Sequence, residues 1–130
     1  MTYQPTKTGN LIVEKFPVKA ATSIAIGEIV YVDAGVIAAA NTAVIGPYFV
    51  ALEASTSCVP TEIMCGVAGE FPVQAHLDGG AVEKGDYVEI AASGEVGLAT
   101  TPLVNEVVGI AMEAAVTTAT TLKVLLGHFP

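Results

Sequence analysis

The chain of 130 residues has no tryptophan and no arginine, and its only strong cations are five lysines. Set against 13 acids, they leave a formal charge of −8. That balance repels phosphate backbones and removes the counterion release that drives most nucleic-acid binding, so DNA and RNA are excluded as partners. Aromatic residues make up only 6% of the chain, which argues against a sugar-stacking carbohydrate module. The two cysteines, Cys58 and Cys65, have no CxxC spacing and no histidine at zinc-finger distance. Neither a structural metal site nor a redox pair is expected, and both read as small hydrophobic side chains. Long apolar runs are missing too. The uncharged stretch Ala34–Leu52 is interrupted by Asn41, Thr42 and Gly46-Pro47, so it reads as two buried strands and a turn rather than a membrane helix of ~20 apolar residues. The start, MTYQPTKTGN, has neither the basic nor the apolar region of a secretory signal. Synthesis in the cytoplasm is the expectation.

What is present is an apolar composition of 52% built on Ala, Val, Ile and Leu, with a mean hydropathy of +0.63. A chain of this length and hydropathy folds as one domain around a core of small and β-branched side chains. The charge is uneven. Residues 1–20 carry Lys7, Lys15 and Lys19 against Glu14, a net of +2, and the remaining 110 residues therefore carry −10. A mildly basic arm thus precedes an acidic body, and lysines placed for solubility on an exposed terminus account for it equally well.

The periodicity is that of strands. Short segments rich in Val, Ile and Tyr, namely Leu11–Val13, Ile29–Val32, Ile63–Val67, Val88–Ile90 and Leu122–Leu126, alternate with Gly, Pro, Asn and Asp. Turns are expected at Ala25–Glu28, Asp78–Gly80, Glu83–Asp86 and Ser93-Gly94. Phe49–Ala54 and Gly109–Ala114 contain good helix formers, but their Gly and β-branched neighbours favour strands. The pattern predicts a mainly β chain, a single barrel-like domain with at most one or two short helices. An internal repeat supports this. Ile26–Gly35 resembles Lys84–Gly94, Val50–Ala54 resembles Ile110–Ala114, and Gly69-Glu70-Phe71 resembles Gly127-His128-Phe129, which gives units at 26–71 and 84–129. Two copies are too few for a solenoid, so each half is expected to supply strands to one shared core. Glu28 and Asp86, like Glu53 and Glu113, hold matching places in the two copies and read as structural.

Candidate chemistry is sparse. Ser55 or Ser57 with His76 and Asp78 supplies the residue types of a hydrolytic triad, but no nucleophile-elbow sequence surrounds either serine. The acids are spread singly, without the clustering that cation binding or paired-carboxylate catalysis needs. No phosphate-binding glycine loop occurs. No catalytic residue, metal or cofactor is expected.

One resemblance covers roughly residues 10–128. Val82-Glu83-Lys84-Gly85-Asp86-Tyr87-Val88, followed by Glu95-Val96-Gly97, Val107–Ala114 and Thr120–Leu126, is similar to the capsid decoration, or cement, proteins of tailed phages. It is a match of texture and turns. The resemblance implies the β-tulip-like fold of lambda-like decoration proteins and a structural role on the outer capsid surface of the virion. Bound to the major capsid protein, such a protein stabilises the expanded head, commonly as a homotrimer and without membrane association. It also implies an N-terminal arm, here residues 1–16 ahead of a β-rich domain at 17–130. By position, Tyr3, Gln4, Pro5, Leu11, Ile12, Val13 and Phe16 would meet the capsid, with Leu11-Ile12-Val13 adding a strand to a capsid sheet. An ordinary strand of the barrel is the other reading of Leu11–Val13. Relative to many decoration proteins the chain is longer between Pro47 and Ala81, where an added loop or strand pair is expected. A free-standing β-barrel interaction module, an adhesin or ligand-binding domain, is the alternative function.

Overall fold

β-Branched runs punctuated by glycine leave the backbone little choice but extended structure. The computed structural model describes residues 11–42, 44, 46–100 and 107–127. Among them it contains nine strands and no helix: β1 (Ile12–Pro17), β2 (Ile29–Asp33), β3 (Val36–Ala39), β4 (Tyr48–Ala51), β5 (Glu62–Gln74), β6 (Tyr87–Ala92), β7 (Glu95–Leu98), β8 (Val107–Ala111) and β9 (Thr121–Leu126). All ladders are antiparallel. They form one curled sheet in the order β3-β2-β4-β5-β9-β8-β6-β7, with β1 also on β5. The mainly β, barrel-like expectation holds.

The two ambiguous segments are strands that stop early. β4 ends at Ala51 and β8 at Ala111, and each then bends at Leu52 and Met112. The expected turns are present, and Gly27, Gly80, Gly85 and Gly94 all take positive φ. The extra length between Pro47 and Ala81 is a strand pair, β4 on β5, rather than a loop. It holds β4 and the 13-residue β5. The first part of β5 pairs with β1 and β4, and its second part, Gly69–Gln74, pairs with β9.

This shared strand organises the molecule into two matching halves. In the first, β1, the start of β5, β4, β2 and β3 follow one another, and a parallel bridge from Val18 to Ile37 joins the end of β1 to β3. In the second, the end of β5, β9, β8, β6 and β7 do the same, and Ala75 bridges to Val96. The hydrogen bonds repeat as well. Gly27 N–H donates to the Ala51 carbonyl and Gly85 N–H to the Ala111 carbonyl, each at 2.8 Å; Ala51 N–H donates to Glu28 and Ala111 N–H to Asp86. Ile24 exchanges both backbone bonds with Ser55, as Val82 does with Ala115.

In place of the one shared core expected from the repeat, the buried side chains form two clusters. The smaller is Val18, Ile24, Val30, Ile37, Ala51, Ile63 and Cys65, the interior of the first half. The larger joins the interior of the second half, including Val82, Val88, Val96, Leu122 and Val124, to the seam between the halves, where Ile29, Tyr48, Val50, Phe71 and Leu126 meet. Each half curls tightly enough to enclose its own small side chains, and the opposite faces of β2 and β4 are left for the seam. Alternation along a strand makes this possible: Ile29 faces the seam and Val30 the interior of the first half. At about 1.5–3 kcal/mol for each large aliphatic side chain removed from water, both clusters weigh heavily in the fold.

Candidate functional site

Leu11-Ile12-Val13 is apolar and its Ile and Val are β-branched, which favours extension, and Pro17 closes the strand at a place where no ladder donor is required. In the structure β1 pairs with β5 of the same chain, from Ile12 opposite Ala68 to Pro17 opposite Glu62, with a register shift between Ile12 and Val13. β5 is its only ladder partner among the described residues, and the bridge to β3 comes only beyond its end, at Val18, so the start of β1 is a sheet edge. Leu11, Ile12 and Val13 are all on the surface, at 49%, 53% and 42% exposure, as are Glu14, Lys15 and Pro17 farther along the strand. Phe16 is half-buried and stacks on Phe49, ring centres 4.9 Å apart and planes 16° from parallel. That stack anchors the end of the strand to β4 and leaves the aliphatic start on the outside. Of the seven arm residues singled out from sequence, the structure brings Leu11, Ile12, Val13 and Phe16 together on this edge. Tyr3, Gln4 and Pro5 lie outside the described residues.

The triad types are not assembled by their hydrogen bonds. His76 lies between two carboxylates, with Nε2 3.0 Å from Asp78 and Nδ1 3.7 Å from Glu95. Ser55 is buried and its Oγ donates to the Pro60 carbonyl, while Ser57 N–H donates to Ser23 Oγ. Both cysteines are free thiols. Cys65 is wholly buried, and burial, assisted by the Glu53 carboxylate, pushes its pKa up to about 12, which keeps the thiol neutral and a poor nucleophile. Cys58 Sγ donates to the Val18 carbonyl at 3.2 Å. Among the described residues no group of three His, Cys, Asp or Glu is placed to hold a metal ion, and no helix is long and apolar enough to cross a membrane.

The repeated acids do specific work. Glu53 accepts the Met64 N–H at 2.7 Å, and Glu113 accepts the Lys123 N–H at 2.9 Å. Glu28 and Asp86 each accept the backbone N–H three residues earlier, from Ala25 and Glu83. Each carboxylate closes a loop by taking up a donor that the ladder does not use. Matching positions in the two copies were the only signal of this in the sequence.

The seam holds the contact that sequence reasoning missed. The β6–β7 hairpin tip reaches the first half: Ile29 N–H donates to the Gly94 carbonyl at 2.8 Å, and Gly94 N–H donates to the Ala40 carbonyl at 2.7 Å. Gln74 adds a backbone bond to Gly27 and a side-chain bond to the Ile26 carbonyl. The tip has to be glycine. A Cβ on Gly94 would stand 2.9 Å from Cβ of Glu28, and φ is +70° there.

No protein-family model matches the chain, and no curated protein matches it. Among solved structures the fold is similar to the N base of the head fiber protein gp8.5 of bacteriophage phi29. That likeness covers 89% of this chain and 95% of the other at a TM-score of 0.62, with 18% sequence identity. The chain therefore shares its fold, over nearly its whole length, with the base of a phage head fiber.

Proposed function

We propose that the protein is a structural component of a phage virion that attaches to the outside of the head and stabilises it. The fold likeness to a phage head fiber base, end to end in both chains, is the observation that carries this reading. Three further features support it. The C-terminal half resembles capsid decoration proteins in its Gly85-Asp86 turn and in Val108-Gly109-Ile110-Ala111. Net negative charge keeps a protein displayed in many copies soluble and away from DNA. The exposed aliphatic start of β1 lies on a sheet edge, the kind of surface to which a strand of another protein adds. In this reading the major capsid protein is the partner, residues 1–10 and the Leu11-Ile12-Val13 edge form the contact, and no catalysis is involved.

The test is cosedimentation with expanded, undecorated heads of the virus from which the chain derives. Wild-type protein is compared with a version lacking residues 1–10 and with Ile12→Asp. Ile12 is 53% exposed, so the substitution spares the core. Saturable binding at a fixed ratio to the capsid subunit, weakened by both changes, is the expected result. Binding untouched by either change would move the contact off this edge. Absence of binding at any salt concentration would overturn the head-protein reading in favour of a free-standing β module.

A further inference from the structure

The halves of this molecule carry the same docking parts twice, and only one pair is in use. The receiving site on the first half consists of Gly27, Glu28, Ile29 and Ala40, and the β6–β7 tip at Gly94 fills it. The second half reproduces that site bond for bond. Glu83 N–H donates to Asp86 as Ala25 N–H does to Glu28. Ala99 N–H donates to the Tyr87 carbonyl at 3.0 Å as Ala40 N–H does to Ile29 at 2.9 Å. Yet this second site is open. Ile29 is 0% exposed and its counterpart Tyr87 is 36% exposed, and among the described residues no atom comes within 4 Å of a Cβ built on Gly85. The inserting part is duplicated as well. The β2–β3 tip Ala34-Gly35 holds the place of Ser93-Gly94; both its residues have positive φ, 54° and 85°, where at the β6–β7 tip only Gly94 does, and nothing among the described residues comes within 4 Å of a Cβ on Gly35. Among the described residues, one half thus retains an unfilled receptor and the other an unused tip.

We infer that a second copy of this chain docks head to tail, its Ala34-Gly35 tip entering the Gly85-Asp86-Tyr87-Ala99 site. The contact copies the seam inside the chain. Tyr87 N–H donates to the Gly35 carbonyl of the incoming copy, and Gly35 N–H donates to the Ala99 carbonyl. Two differences make it weaker than the internal seam. Pro17 stands where Gln74 stands, so the bond from Gln74 to Gly27 has no counterpart. Glu14 stands where Phe71 stands, so less apolar surface is covered. The interface is heterologous, using different patches on the two partners. It therefore builds a closed ring or an open row according to the rotation between copies, and never a two-fold dimer. The inference does not depend on the head-protein reading.

Sedimentation velocity over micromolar to near-millimolar protein tests it. Two variants separate the two surfaces. Gly35→Asn keeps a residue type that tolerates positive φ and its Cβ meets no atom of the described residues in its own chain, but by analogy with Gly94 on Glu28 it collides with Asp86 of a partner. Tyr87→Lys places a charge where the seam counterpart Ile29 is fully covered. Wild type is expected to self-associate with rising concentration, and each variant alone to weaken this by at least about tenfold. A mixture of the two variants is expected to form one-to-one dimers and nothing larger, because the Gly35→Asn chain keeps an intact receptor and the Tyr87→Lys chain an intact tip. Far-ultraviolet circular dichroism confirms that both variants fold. A wild type that stays monomeric throughout, variants that associate as wild type does, or a mixture that fails to pair would each overturn the inference.

Discussion

The corner in β5 gives the sharpest test of how the halves are joined. Phe71 and Gly66 lie on the same strand, yet the Phe71 ring covers Gly66 so closely that a Cβ there would lie 2.6 Å from Cζ and 2.7 and 2.8 Å from the two Cε atoms. The strand folds back on itself around Gly69, whose φ is +121°, and the bare α-carbon of Gly66 makes room for the ring. Phe71→Ala removes a side chain that is 4% exposed and is expected to cost about 3–5 kcal/mol. Gly66→Ala inserts a methyl group into the ring and is expected to cost about 1–3 kcal/mol. In the double variant the new methyl occupies part of the space the ring leaves. The combined cost is then smaller than the sum, by a coupling of about 1–2 kcal/mol. Urea unfolding followed by circular dichroism measures this. With a slope of about 1.5–2 kcal/mol per molar, Phe71→Ala alone moves the midpoint down by about 1.5–3 M. Strictly additive costs would refute the close ring-on-glycine corner, and with it the claim that one bent strand serves both halves.

Two further expectations follow from the repeated acids and the buried thiol. Glu53→Ala and Glu113→Ala should each lower stability by about 1 kcal/mol by orphaning the Met64 and Lys123 N–H groups; the losses should add, because the sites lie in different halves, and Gln at either position, which keeps an acceptor oxygen, should recover part of the loss. Cys65 has a folded pKa raised from 9.0 to about 12, so the stability it contributes is complete below pH 9 and is lost as pH rises from there toward 12. Urea midpoints taken from pH 8 to pH 11 should fall more steeply for wild type than for Cys65→Ala, and parallel curves would contradict the buried neutral thiol.

The candidate edge was only half legible from sequence. The apolar Leu11-Ile12-Val13, with two β-branched residues, forecast a strand, and β1 starts at Ile12. Which partner that strand takes depends on the register of β5, some 50 residues away, and no local pattern carries that information. The exposure of all three side chains goes with the pairing of β1 on β5 alone among the described residues, again a product of pairing. Glu53 and Glu113 were visible as matched positions, but their partners, Met64 and Lys123, sit 11 and 10 residues along the chain and meet them only once β4 and β8 lie beside β5 and β9.

Strand identity, turn positions, the small-residue character of the core and the duplication were thus written locally, because each rests on the φ/ψ preferences and volumes of a few adjacent side chains. The division into two interiors, the sharing of β5 between them and the burial of Gly94 against Glu28 were settled only when the sheet curled. These features arise from contacts between residues far apart in the chain, whose cost in loop closure is met only when the whole curled sheet forms together. The same curling covers one receiving site from within, at Ile29, and leaves its twin at Tyr87 36% exposed.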